Sequence, residues 1–172
     1  VLQIAKDAYD MYFTENAVGR DPFPSLVKLE SEVIDMTANL LNGGEEATGC
    51  TTTGGTESIF LAIKAARDWA RLNKPSKGTP EIIAPRSAHH AFNKAAHYLG
   101  LKVTRLPLGG DFRADVDAME RAITNDTIML VGSAPAYPHG VMDPIPALGE
   151  LAQAQGLWLH VDACVGGFLA PF

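Results

Sequence analysis

Ile128-Met129-Leu130-Val131 and Leu157-Trp158-Leu159-His160-Val161 are the two stretches that decide the fold. Both are nearly continuous apolar runs. A strand with one wet face alternates; a strand buried on both faces reads like these, as in a parallel sheet covered by helices. The surrounding pattern agrees. Short strands are read at 81–84 and 102–106, and helices near 89–99, 115–123 and 146–155 alternate with all four strands. Regular strand–helix alternation predicts an α/β fold, a doubly wound and mainly parallel sheet. Upstream the pattern is helical: Ile4, Ala8, Met11 and Tyr12 recur at helical spacing. Asn16, Gly19, Pro22 and Pro24 mark a loop over 14–24. Ser25 is then read as N-cap of a helix over 26–42, striped by Leu26, Leu29, Val33, Met36 and Leu40 and stopped by Asn42-Gly43-Gly44. A third helix is read from Thr56 to Leu72.

The chain has 172 residues, of which 47% are apolar and 20% charged, the balance of one globular domain rather than a disordered tail. Its net charge is −6, and its basic residues are scattered, which argues against a nucleic-acid partner. Two cysteines, Cys50 and Cys164, make no disulfide framework and suit a reducing, cytoplasmic compartment. No uncharged apolar run reaches the roughly 18–20 residues of a membrane span. The chain opens on Val1, not Met, and Gly166–Phe172 follows the last strand without a closing helix. That reads as a fragment of a longer protein and leaves an anchor upstream of Val1 open.

Four segments carry candidate chemistry. Thr52-Thr53-Gly54-Gly55-Thr56-Glu57-Ser58 leads into the third helix. Glycines there let a ligand approach the backbone, the free N–H groups at a helix start favour a phosphate, and Thr56 and Ser58 add hydroxyls. The Lys-Ser/Thr ending of a nucleotide P-loop is absent. An ordinary Gly-rich turn with a Thr N-cap fits the same residues. His160-Val161-Asp162-Ala163-Cys164 lies at a strand end, where a two-residue period puts His160, Asp162 and Cys164 on one face. Asp162 there either meets a cationic partner or caps the following turn. Ser87-Ala88-His89-His90-Ala91-Phe92 hands a strand to a helix, with His89 at the carboxyl edge of the sheet or simply exposed at a helix start. Pro135-Ala136-Tyr137-Pro138-His139-Gly140-Val141-Met142-Asp143-Pro144 reads as a rigid structural loop. No metal site is read: there is neither H-E-x-x-H nor C-x-x-C, and His89, His90 and His97 lack metal-ligand spacing.

In combination and in order, T-x-G-G-T-E-S, S-A-H-x-A-F-x-K-A-A, P-H-G-V-x-D-P-I and H-V-D-A-C-x-G-G-F resemble sphingosine-1-phosphate lyases. These belong to the pyridoxal-phosphate decarboxylase-like group of the aspartate-aminotransferase fold. The resemblance implies a PLP-binding large domain begun at 46–172, behind an N-terminal helical segment at 1–45. The lysine that carries the cofactor and a C-terminal domain would lie further on. It implies pyridoxal 5′-phosphate (PLP) as cofactor, with Gly54, Gly55 and Thr56 on its phosphate. His89 would stack on its ring, Asp162 would pair with its ring nitrogen, and Ala163 would pack against the ring. His89 and Asp162 are thereby the catalytic candidates. The activity implied is carbon–carbon cleavage of a small amine or amino-alcohol, such as a phosphorylated sphingoid base, by a homodimer. An amino-acid decarboxylase is the alternative; such enzymes more often read H-V-D-A-A, so Cys164 and Pro138-His139-Gly140 favour the lyase. A non-catalytic phosphate-binding α/β domain is the alternative of another class. Two departures from the family stand out. None of Lys6, Lys28, Lys64, Lys74, Lys77, Lys94 and Lys102 matches the cofactor-carrying position. Asn16-Ala17-Val18-Gly19-Arg20-Asp21-Pro22-Phe23-Pro24 replaces N-P-L-H-P-D-x-F-P, with Gly19 where the family has histidine and Arg20 offering a phosphate a charge.

Overall fold

A computed structural model describes residues 1–15 and 23–172. The readings made at positions 16–22, Gly19 and Arg20 among them, lie outside the described residues. The chain forms two compact units, Val1–Thr51 and Thr52–Phe172.

The first unit holds α1 (Leu2–Tyr12) and α2 (Pro24–Leu40), and neither helix buries a residue. Ser25 is not the cap of α2. Phe23 precedes the helix and Pro24 opens it, because the fixed φ of proline suits the first helical position and its missing N–H would have no partner there. Ile4, Met11, Leu29, Val33 and Met36 are all exposed.

The second unit runs α3 (Gly55–Asn73), β1 (Glu81–Pro85), α4 (Ala91–Leu99), β2 (Lys102–Leu106), α5 (Val116–Ala122), β3 (Thr127–Ser133), α6 (Ile145–Ala154) and β4 (Trp158–Asp162). The four strands are all parallel, in the order β2-β1-β3-β4. This is the α/β, doubly wound parallel sheet that the apolar runs predict. Successive residues of β1 and β3 alternate between two cores. Ile82, Ala84, Met129 and Val131 face α3 and α4, in a layer with Ile63, Ala66 and Phe92. Ile83 and Leu130 face α5 and α6, with Met119 and Leu148. Helices thus cover both faces, as right-handed crossovers require when the chain first moves from β1 to β2 and then back past β1 to β3 and β4. The reversal leaves a crevice beyond the carboxyl ends of β1 and β3. Trp158–Asp162 is half-buried along its length, and β4 stands last in the strand order of the described residues. Among the described residues, no helix is long and apolar enough to cross a membrane.

At the opposite, amino end of the sheet a buried carboxylate ties three strands together. Glu81 on β1 accepts from Lys102 Nζ at 2.8 Å and the Thr104 hydroxyl, both on β2, from Thr127 Oγ1 on β3 at 3.5 Å, and from Thr124 Oγ1 at 3.3 Å. Burial pushes its pKa up, but the hydrogen bonds of Lys102, Thr104 and Thr124 outweigh that, and the net shift is downward. A carboxyl whose pKa is depressed by folding stabilises the fold above its ordinary pKa, and that contribution is lost as pH falls through the folded-state value. Glu81→Gln is therefore expected to cost about 1–3 kcal/mol near neutral pH. The deficit relative to wild type should shrink toward about pH 4 and below, as the wild-type carboxyl protonates. Urea unfolding at the two pH values reads both; a deficit that stays constant with pH would rule out the ionised network.

Candidate active site

The third helix starts one residue earlier than the sequence suggests. Gly54 is the N-cap, with φ 158° and ψ 171°, and Gly55 is the first helical residue. No side chain caps α3 directly, so the Thr N-cap reading fails. Instead Glu57 folds back: its carboxylate accepts from the Thr53 N–H at 2.7 Å and the Thr53 hydroxyl at 2.6 Å. These bonds hold Glu57 below the usual carboxylate range. The Ser58 hydroxyl is also engaged, 2.6 Å from Thr52 Oγ1. Gly54 O accepts from the N–H groups of Glu57 and Ser58. Among the described residues, this leaves the Gly55 and Thr56 N–H groups without a partner at the positive end of a 19-residue helix.

Those two residues line a cavity of about 230 Å³ beyond the carboxyl ends of the strands. Its walls come from four places: Gly55, Thr56 and Ile59 of α3; His89 after β1; Ser133, Pro135 and Tyr137 at and after the end of β3; and Asp162, Cys164 and Val165 at and after the end of β4. Of the sequence-derived candidates, Gly55, Thr56, His89 and Asp162 meet here. Gly54 caps the helix just behind them, and Ala163 is half-buried in the turn after β4, where its carbonyl accepts from Gly167 N at 2.8 Å.

The side chains are held individually. His89 Nδ1 accepts from the Ala91 N–H at 3.1 Å, which leaves the ring proton on Nε2, and the Tyr137 ring meets the imidazole edge-on at 5.6 Å. Asp162 Oδ1 accepts from the Cys164 N–H at 3.3 Å. The carboxylate therefore closes the local turn, as one of its two readings expects, and it also lines the cavity; no cation pairs with it among the described residues. His160 does not join the site. Its ring packs edge-on against Phe92 at 5.4 Å, and burial lowers its pKa, so it brings no cation to Asp162. Cys164 stays a thiol: burial raises its pKa and the Asp162 charge adds to the effect. Its Sγ would lie 3.2 Å from a Cβ built on Gly55, so glycine there keeps the helix start open toward β4.

Two features escaped the sequence. Tyr137, read as part of a structural loop, is a cavity wall. His139, in the same loop, instead stacks on Phe112 with centroids 4.9 Å apart. The loop is pinned by Asp143, whose buried carboxylate accepts from Ser133 N and Ala114 N, both at 2.8 Å.

A helix start with free N–H groups, an imidazole and a carboxylate thus line one cavity at the switch point of a doubly wound sheet, where α/β proteins bind ligands and where a helix start favours an anionic group. Residues 5–172 match the pyridoxal-dependent decarboxylase conserved domain, and the chain belongs to that family. It is 52% identical to sphingosine-1-phosphate lyase 1 of Mus musculus over all its 172 residues, which make up 30% of the mouse protein. It is 41% identical to a probable L-aspartate decarboxylase of Pyrococcus furiosus, with 99% of this chain and 44% of that protein aligned. The solved Burkholderia pseudomallei sphingosine-1-phosphate lyase superposes with a TM-score of 0.92 at 41% identity, over 99% of this chain and 40% of that one. The chain thus spans less than half the length of these relatives.

Proposed function

We propose that this chain supplies the cofactor cavity of a PLP-dependent carbon–carbon lyase that acts on a phosphorylated 2-amino-alcohol, such as a phosphorylated sphingoid base, to give an aldehyde and an amine. The observation that carries the proposal is the meeting of the α3 start, His89 and Asp162 in one cavity at the sheet switch point, in a chain that shares 52% of its residues with a sphingosine-1-phosphate lyase.

The residues fit PLP. The unpartnered N–H groups of Gly55 and Thr56, with the Thr56 hydroxyl, suit a phosphate dianion, and glycine at 54 and 55 lets it approach the backbone. Glu57 keeps its charge turned onto Thr53, so it does not spend the Gly55 and Thr56 donors. When bound, the cofactor supplies an electron sink for the bond being broken. His89 would stack on the ring, Asp162 would hold a proton on the ring nitrogen through a charge-assisted hydrogen bond, and Ala163, in the turn that follows Asp162, would pack against the ring. Exposed apolar residues on both helices of Val1–Thr51 support a homodimer, the partner copy covering them.

A second reading, amino-acid decarboxylation, is supported by the likeness to the Pyrococcus decarboxylase. The full-length protein reconstituted with PLP separates the two. The lyase reading expects aldehyde from a phosphorylated sphingoid base and no carbon dioxide from aspartate. Carbon dioxide release without aldehyde would overturn it in favour of the decarboxylase.

A further inference from the structure

Arg105 sits on the edge strand β2, paired with Ala84 of β1, where a basic residue would ordinarily point into solvent. It is half-buried instead, and all five of its N–H groups are used. Nε donates to Asn93 Oδ1 at 3.0 Å; Nη1 donates to the carbonyls of Pro85 at 2.9 Å and Ala88 at 2.8 Å; Nη2 donates to the His89 carbonyl at 3.0 Å and to Asn93 Oδ1 at 2.5 Å. No carboxylate pairs with it among the described residues. Burial lowers its pKa from the ordinary arginine value, and the nearby Tyr137 opposes that shift. A guanidinium is desolvated here to bind uncharged acceptors, three of them backbone carbonyls at the end of β1 and in the loop after it. On the same flank the Arg86 N–H donates to the Leu106 carbonyl of β2 at 2.9 Å, while the Ser87 hydroxyl, in the middle of the loop, is buried without a partner among the described residues.

We propose that Arg105 is a positioning residue for His89, clamping the β1–α4 loop so that the imidazole is presented to the cavity in one orientation. The proposal rests on the reading of that cavity as a PLP site. The planar fork gathers the end of β1, the carbonyl of His89 itself and the first turn of α4 around one rigid group. With its carbonyl fixed and its Nδ1 bonded to the Ala91 N–H, the imidazole has one position left. Lysine cannot replace this. It keeps the charge but offers three donors from a point, with no fork to span the carbonyls and Asn93. A displacement of about 1 Å at a positioned group is enough to cost about a hundredfold in rate.

The test is a double-mutant cycle in the full-length protein. Arg105→Lys is expected to weaken PLP binding to the apoprotein about tenfold, the equivalent of about 1.4 kcal/mol. It should lower kcat more than it raises KM, and leave Tm within a few degrees of wild type. His89→Ala should weaken PLP binding similarly, and the double variant no further than His89→Ala alone. Asn93→Ala, which removes two of the five bonds without touching the charge, should move binding about threefold the same way. It keeps the test open if Arg105→Lys does not fold. Independently of the cofactor, hydrogen exchange of the apoprotein over 86–93 should quicken in Arg105→Lys. Unchanged exchange there, or effects of Arg105→Lys and His89→Ala that simply add, would overturn the clamp. Wild-type protein that takes up no PLP, with exchange over 86–93 quickened in Arg105→Lys, would instead strike down the reading of the cavity and leave the clamp standing.

Discussion

Asp162→Ala in the full-length protein is expected to lower turnover by about a thousandfold or more, the scale seen when a preorganised electrostatic partner is removed from a reacting centre. The fold should survive. Asp162 is the last residue of β4, half-buried, and among the described residues its carboxylate is hydrogen-bonded by its neighbour Cys164, through the N–H and the thiol. The backbone bond that fastens this strand end, from Ala134 N to Asp162 O at 2.8 Å, does not involve the side chain. The loss is therefore electronic. A buried cationic nitrogen without a balancing charge gives up its proton, because burial disfavours the charged form. His160 cannot stand in as a charge partner, since it lies against Phe92 and burial favours its neutral form. Asp162→Asn should be nearly as harmful, for an amide fills the space without the charge. Asp162→Glu should retain more turnover if its longer side chain reaches. Turnover of the three variants, set beside their melting temperatures, checks the assignment; near-native turnover in Asp162→Ala would refute it.

The parts of this site that were legible in the sequence are those where local chemistry decides the structure. Two glycines ahead of an amphipathic run announce an open helix start, and the strand-to-helix pattern places His89 and Asp162 at strand ends; what they would bind came from the family resemblance, not from local chemistry. What escaped depends on tertiary neighbours. Tyr137 reaches the cavity because the loop after β3 is drawn in by the Asp143 carboxylate, whose bond to Ala114 N comes from a segment 29 residues away in sequence. Arg105 looks like a solvent-facing strand residue until the pairing of Ala84 with Arg105 sets its fork beside the loop that carries His89. The T-x-x-x-E spacing of Thr53 and Glu57 misses the usual capping box by one residue, so the pair of bonds from Thr53 to the Glu57 carboxylate at the start of α3 was invisible as a pattern.

Gly166→Ala should be the most damaging small change outside the cavity itself. The turn after β4 brings Gly166 directly onto the backbone at the end of β3. A Cβ there would overlap the Ala134 carbonyl oxygen, and would lie 2.9 Å from the Ala134 carbon and 3.3 Å from Pro135 Cδ. These neighbours are backbone and a proline ring, so no flexible side chain can move aside. Ala134 is itself bonded to Asp162 O and cannot retreat without pulling on β4. The two segments pushed apart both line the cavity, one through Pro135 and Tyr137 and the other through Cys164 and Val165. Overpacking of this kind costs about 1–3 kcal/mol, and more where the backbone must shift. We expect Gly166→Ala to lose about that stability and to bind PLP at least about tenfold more weakly. Gly167→Ala is the control. The nearest atoms to its Cβ would be those of Ala163 in its own turn, the carbonyl oxygen at 3.0 Å and the side chain at 3.5 Å. That turn can relax, so the penalty should be smaller in both measurements. Chemical unfolding and PLP titration of the two full-length variants decide the matter. Equal behaviour would mean that the contact between Gly166 and the end of β3 does not set the cavity walls.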